Sequence, residues 1–290
     1  MNFLNLGCGN RLHPAWTNVD YISPKGSRVI PYDLAKGLPF PDASFEVVYH
    51  SHFLEHLQKE QATFFLKECY RILRSGGVIR VVVPDLEQIS RSYILALEQV
   101  ISGLSESSAN YDWLLIEMLD QMTRNASGGE MATYLTQERI PNEAFVLQRI
   151  GTEARKLFEV GQHQRRAAVS DPWLKQKLMP LYKFFKDSKY RWDSCLKIFL
   201  SSKDYEALRI GRFRQSGEIH RWMYDRYSLT RLLKECGFQE ITQRTAADSY
   251  IKDWTNFNLD TEADGTVYKP DSLYVEAIKP SHECPPHKSI

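Results

Sequence analysis

The chain has 290 residues, 43% of them hydrophobic and 25% charged, an ordinary globular composition that is long enough to bury a sizeable core without disulfide staples. Lys plus Arg number 37 against 36 for Asp plus Glu, so there is no basic excess of the kind that marks a dedicated nucleic-acid binder. The five cysteines (Cys8, Cys69, Cys195, Cys236, Cys284) include no C-x-x-C pair, which points to free thiols in a reducing compartment. No basic N-terminal region precedes a long apolar run, and no apolar stretch approaches the roughly 20 residues that span a bilayer. The expected location is the cytoplasm, and oligomeric state is not readable.

Short apolar runs separated by turns predict strands at Phe3–Leu6, Thr17–Asp20, Arg28–Tyr32, Phe45–His50 and Val78–Val83. A helix precedes the fifth. Phe64, Phe65, Cys69, Ile72 and Leu73 recur at helical spacing, and Gly76-Gly77 is expected to stop it. Runs that alternate with helices in this way imply a parallel sheet covered on both faces. From about Leu86 to Gln215 strand alternation ceases. That stretch reads as amphipathic helices, including Tyr111–Met122, Asn142–Gly161 and Trp173–Leu200. The first pattern then returns. Ser228 is expected to N-cap a helix bearing Leu229, Leu232, Leu233 and Cys236, closed by Gly237. Gln239–Arg244 and Ser272–Lys279 read as the last strands. The expected organisation is a core of residues 1–85 and 216–280, a helical insertion of 86–215 and a disordered tail of 281–290.

The first strand runs into Leu4-Asn-Leu-Gly-Cys-Gly-Asn10. Gly7 and Gly9 permit a sharp turn and close approach of a ligand to the backbone. The carboxyl end of a parallel sheet is where nucleotide-like ligands bind. Asp20 ends the second strand, where a carboxylate can accept from ribose hydroxyls, and Asp33 follows the third, within reach of an adenine amine. A dinucleotide fits poorly. The third glycine of G-x-G-x-x-G is replaced by Leu12, and Asp20 comes only 11 residues after Gly9, leaving little room for a helix whose N-terminus would cradle a pyrophosphate. A phosphate-free adenosyl ligand fits better.

In these motifs the sequence resembles the class I S-adenosylmethionine-dependent methyltransferases of the broad type 11 kind. Leu4–Gly9, Asn18–Asp20, Asp33-Leu34, Leu38–Val48, Leu54-Glu-His56 and Glu68–Gly77 carry the likeness, with His220–Asp225, Leu232–Phe238 and Asp271–Ala277 near the end, where it is to small uncharacterised bacterial members. The resemblance implies an α/β, Rossmann-like seven-stranded sheet with the last strand antiparallel, a large helical insertion after strand five, and S-adenosyl-L-methionine as cofactor. It places Gly7 and Gly9 under the methionine part, Asp20 at the ribose, Asp33 near adenine, and His50 and Ser51 on the sulfonium side. Asn5 stands where an acid is frequent in the family, so its contact with the methionine amine is expected to be weaker. The helix that often precedes strand one and covers the cofactor is missing, and the insertion is the expected cover.

Other clusters have two readings each. His50-Ser-His-Phe-Leu-Glu-His56 approaches a dinuclear-metal pattern, but the acid and last histidine come one residue late and no other cluster clearly supplies further ligands, so no metal is expected; His50 and His52 are instead expected to border the cofactor pocket and His56 to cap or pack at the next helix. His220, Trp222, Tyr224, Asp225 and Tyr227 are either a packing group or an acceptor pocket with His220 as general base. Asp85 either N-caps the helix starting near Leu86 or faces the acceptor. Arg165, Arg166, Arg209, Arg212, Arg214 and Arg221 are expected to form a solvated face rather than a phosphate site. The resulting expectation is methyl transfer by in-line displacement to a small-molecule or sugar acceptor, with no nucleic-acid partner. A catalytically silent scaffold of the same fold and an NAD-dependent enzyme remain as alternatives.

Overall fold

The computed structural model describes residues 2–24, 26–159, 161 and 188–281. One sheet holds seven strands: β1 (Phe3–Leu6), β2 (Trp16–Asp20), β3 (Val29–Pro31), β4 (Phe45–Ser51), β5 (Leu73–Pro84), β6 (Gln239–Arg244) and β7 (Ser272–Ile278). Their order is β3-β2-β1-β4-β5-β7-β6. β1 pairs in parallel with β2 and β4, β2 with β3, and β4 with β5. β7 alone runs against its neighbours, β5 and β6. This is the seven-stranded architecture with a reversed last strand that the resemblance implies.

Helix α1 (Lys59–Ile72) buries Ala62, Phe65, Leu66, Cys69 and Ile72. The glycine pair does not end it. Leu73 turns extended at the C-cap and begins β5 directly. Gly77 lies inside that strand, where a Cβ would come within 2.8 Å of the Arg74 carbonyl and 3.1 Å of the Glu46 carbonyl. Its role is close strand approach.

Between β5 and β6 lie α2 (Leu86–Ile101), α3 (Ser108–Thr123), α4 (Gly129–Leu135), α5 (Glu143–Ile150), α6 (Ser188–Phe199) and α7 (Ser202–Arg214). Trp113, Leu114, Leu135, Val146 and Ile150 form a separate apolar cluster there. The helix expected over Asn142–Gly161 breaks at Gly151, whose φ is +64°. The first part of the helix expected over Trp173–Leu200, Arg165-Arg166 and nearly all of the tail lie outside the described residues. Helix α8 (Arg226–Glu235) follows. Its N-cap is Asp225, not Ser228. Asp225 Oδ1 accepts from Ser228 N–H at 2.7 Å while Asp225 N–H donates to Ser228 Oγ at 3.0 Å, so Ser228 is the third helical residue of a capping box.

The two faces of the sheet are covered differently. On one, Leu4, Leu6, Val48, Val81 and Val83 pack with Phe65, Leu66 and Ile72 of α1 and Leu229 and Leu233 of α8. On the other, Trp16, Val47, Tyr49, Val82 and Tyr274 meet Ala246, Ile251, Trp254 and Leu259, which belong to the irregular link between β6 and β7. Helices are thus not the only cover. Arg80 of β5, fully buried, fixes this link. It donates to Asp260 Oδ2 (2.7 Å), Glu276 Oε1 (2.9 Å) and the carbonyls of Thr245 (2.7 Å) and Asp248 (3.0 Å), and stacks 4.5 Å over Trp254. Among the described residues no helix is long and apolar enough to cross a membrane.

Removing one partner from a buried ion-pair network leaves the others uncompensated. Arg80→Ala is therefore expected to lower the unfolding free energy by about 3–5 kcal/mol, measured by urea denaturation. A loss below about 1 kcal/mol would mean that Asp260 and Glu276 find other partners.

Candidate functional site

The backbone turns at the carboxyl end of β1. Gly7 N–H donates to the Val19 carbonyl of β2 at 2.9 Å, then Gly7 and Gly9 adopt φ of +63° and +50°. Such values favour glycine. A Cβ on Gly7 would lie 2.9 Å from the Phe53 ring, whereas one on Gly9 would point into open space. No helix stands between Gly9 and β2. The loop is shaped instead by side-chain amides. Asn5 Nδ2 donates to the Arg11 carbonyl (2.9 Å) and to Asn18 Oδ1 (3.0 Å), and Asn18 Nδ2 donates to the carbonyls of His13 (3.1 Å) and Trp16 (2.9 Å).

A cavity of about 190 Å³ opens over this turn. Asn5, Gly7, Cys8, Gly9, Asn10 and Arg11 supply one side, and Tyr49, Ser51 and His52 a second. Leu259, Tyr268 and Lys269, from the β6–β7 link, supply the third. Among the described residues no helix between β5 and β6 lines it, and this third side comes from the link. Arg11 ties link to turn: it donates to the Thr261 carbonyl at 2.9 Å, pairs with Glu262 at 3.2 Å, and stacks 3.9 Å over Tyr268. Lys269 pairs with Glu153 at 2.9 Å. Tyr49 OH donates to Asp260 Oδ1 at 2.6 Å, which joins the cavity wall to the Arg80 network. Cys8 is no nucleophile, since burial, then the charge of Asp20, push its thiol up to about 12.

The sequence-predicted residues separate into groups. Asn5, Gly7, Gly9 and Ser51 line the cavity. Asp20 adjoins it, with Oδ2 accepting from Gly9 N–H at 2.8 Å and Oδ1 from Ile22 N–H at 3.1 Å. Asp33 follows β3 by two residues and caps the short 3-10 turn Leu34–Lys36 through Ala35 N–H at 3.2 Å.

The other five predicted site residues do not line the cavity. His50 does not line the cavity beside Ser51, because successive strand residues point to opposite faces. It is fully buried against Phe53 and Phe65, and burial depresses its pKa to about 4. His220 does not line the cavity; it is 5% exposed and packs edge-on against His56. Burial, despite the opposing charge of Glu55, takes it down to about 3, which weighs against the reading of it as a base tuned to neutral pH. Asp85 N-caps α2, accepting from Glu87 and Gln88 N–H at 3.0 and 3.2 Å. Tyr224 belongs to the main core, and Trp222 lies on the surface beneath Lys59 Nζ at 3.6 Å, so neither reaches the cavity. The arginines have partners of their own: Arg209 with Glu206, Arg212 with Asp193, Arg214 with the carbonyls of Met122, Thr123 and Arg124, and Arg221 with the Arg214 carbonyl.

His52, expected to border the pocket, does line it, whereas sequence reasoning missed Tyr49, Arg11, Leu259, Tyr268 and Lys269. Tyr49 was discoverable from strand alternation with Ser51. The others follow loops and carry no local signal.

Residues 4–81 match the family model described as a methyltransferase domain. Over 48 residues the chain is 50% identical to a probable S-adenosylmethionine-dependent methyltransferase of Mycolicibacterium smegmatis, covering 17% of this chain and 18% of that one. The same length is 46% identical to a probable S-adenosylmethionine-dependent methyltransferase of Mycobacterium tuberculosis, covering 17% of each. The match thus spans under a fifth of these relatives. Among solved structures, a SAM-dependent methyltransferase from Archaeoglobus fulgidus aligns over 96% of this chain and 86% of that one at 12% identity, with a TM-score of 0.37.

If Arg11 holds the link over the turn, Arg11→Ala will speed amide exchange at Glu262 and Tyr268 by about tenfold, the effect of losing one charge-assisted hydrogen bond. Unchanged exchange there, measured by mass spectrometry, would show that the link stands without it.

Proposed function

We propose that this chain is a class I S-adenosylmethionine-dependent methyltransferase and transfers the cofactor's methyl group to a small-molecule or sugar acceptor. One observation carries the reading: the carboxyl ends of β1, β2 and β3 lie side by side, with the Gly7–Gly9 turn open to a cavity and the Asp20 carboxylate against it. The residues present suit an adenosyl ligand. Gly9 leaves space above its backbone, and each Asp20 oxygen has lone-pair capacity left for a ribose hydroxyl. They suit a pyrophosphate poorly, because no helix N-terminus follows the glycine turn. That counts against the NAD-dependent alternative.

When bound, S-adenosylmethionine supplies an electrophilic methyl carbon on sulfonium. The protein's task is then placement. The Gly7–Gly9 backbone and Asn5 shape the floor, Ser51 and His52 border the β4 side, and Tyr268 and Lys269 close the wall. Holding acceptor and donor in line replaces a bimolecular encounter by a unimolecular step, which is where most of the acceleration in such a site originates. The enclosing link also keeps water away from the reacting atoms.

Isothermal titration calorimetry tests this directly. S-adenosylmethionine should bind one per chain, NAD should not bind, and Asp20→Ala should weaken binding about tenfold or more. Equal affinity of wild type and Asp20→Ala would reject the assignment of the site. Release of S-adenosylhomocysteine in the presence of candidate sugars and small metabolites would then identify the acceptor; none with any acceptor would favour the silent scaffold.

A further inference from the structure

Outside the cavity, two adjacent residues meet a third that is distant in sequence, two of the three buried and His56 half-buried. Glu55 and His56 lie on the 3-10 turn Leu54–His56 after β4, and His220 precedes α8. Each offers one ligand atom, and these atoms all lie within 4.8 Å of one another. Glu55 is fully buried, and neither carboxylate oxygen makes a well-directed hydrogen bond. A buried carboxylate without a cation or donors is strongly disfavoured. Among the described residues no lysine or arginine pairs with it. Arg124, whose charge reaches His220, is engaged by Glu218 at 3.4 Å and Asp120 at 4.0 Å. His52 Nδ1 stands 3.2 Å from Glu55 Oε1, an ion pair only when that ring is protonated, while its Nε2 meets Ser272 Oγ at 2.8 Å.

We propose that Glu55, His56 and His220 form a binding site for one divalent transition-metal ion of the zinc class. One carboxylate oxygen and two imidazoles are a ligand set such ions favour. The surrounding contacts are those of a supported site. His56 Nδ1 lies 3.2 Å from the Ile219 carbonyl, so that Nδ1–H donates and Nε2 keeps its lone pair for a metal. The backbone holds both ligand segments together: Arg221 and Trp222 N–H donate to the Glu55 carbonyl at 2.7 and 3.2 Å, and His220 N–H donates to the Gln121 carbonyl at 3.0 Å. Ligands of a four-coordinate zinc stand roughly 3.3–3.5 Å apart, given bonds of about 2.0–2.1 Å, so the ligand atoms, now within 4.8 Å of one another, close by up to about 1.5 Å on binding. The ion would neutralise Glu55 and fasten the segment after β4 to the segment before α8. His52, which lines the cavity, adjoins the same carboxylate, so the ion also stiffens one wall of that cavity. The inference stands on these side chains alone and is independent of the cofactor.

The test uses the full chain, stripped with EDTA and titrated with zinc against a chromophoric chelator. One tightly bound zinc per chain is expected, with Glu55→Gln and His220→Ala each weakening it about a hundredfold or more while near-ultraviolet circular dichroism is retained. Because His282, Cys284 and His287 in the tail are also potential ligands, the double variant Cys284→Ser/His287→Ala serves as control and should bind as wild type does. Should the core variants fail to fold, cobalt(II) added to the wild-type chain decides: visible ligand-field bands of low-symmetry nitrogen and oxygen coordination, without thiolate charge transfer, support the site. No stoichiometric zinc, thiolate charge transfer, or tight binding that survives in folded Glu55→Gln and His220→Ala overturns it, leaving a simple His52–Glu55 ion pair.

Discussion

Arg80 sits at the centre of what makes this fold a binding protein. A guanidinium with no exposure, placed on a central strand, must be matched on every donor, since charge in a low-dielectric interior is costly when unmatched. The matches come from the β6–β7 link and from β7: Asp260, Glu276 and the carbonyls of Thr245 and Asp248. Glu276 in turn receives Tyr250 N–H at 2.7 Å, and Trp254 donates to the Ala246 carbonyl at 2.9 Å beside the Arg80 stack. An irregular segment of some length is thereby held to one registry on the sheet. The planar, five-donor guanidinium suits this role in a way that a lysine would not.

The cavity inherits its rigidity from that anchor. Asp260 is shared between Arg80 and Tyr49, and Leu259, the residue before it, is a wall of the cavity. Arg11 makes the reciprocal connection, from the glycine turn outward to Thr261, Glu262 and Tyr268. Floor and wall are therefore coupled through two arginines, one buried and one at the rim. The first crossover has lost the helix that would ordinarily follow a glycine turn. The Asn5–Asn18 amide pair takes over its shaping function, since the open loop needs its carbonyls satisfied by some donor.

The histidines of the β4 end show how pleating and burial distribute chemistry. His50 faces the α1 side, among phenylalanines, and is held neutral there. His52, after the strand and at φ +51°, faces the cavity. His56 turns toward His220 and Glu55. Three histidines within seven residues thus reach three environments, because each step along the strand and into the turn rotates the side chain to a different face.

The sequence alone determined the strands, their alternation with helices, and the glycine turn with its two flanking aspartates, because these are local signals: apolar periodicity, positive-φ glycines and a carboxylate at a strand end. Errors at helix ends came where local chemistry was ambiguous, as with Gly76-Gly77 read as a stop and Ser228 as a cap. Everything that depends on which side of the sheet a residue faces, or on which distant loop meets it, was decided by tertiary structure. Tyr268 and Lys269 reach Gly7 across more than 250 positions, and His220 reaches Glu55 across 165, in each case because the last strands insert beside β5 and bring the end of the chain back to its beginning. No periodicity encodes such a meeting. It follows from the order of strands and from burying Arg80 and its carboxylates in one network.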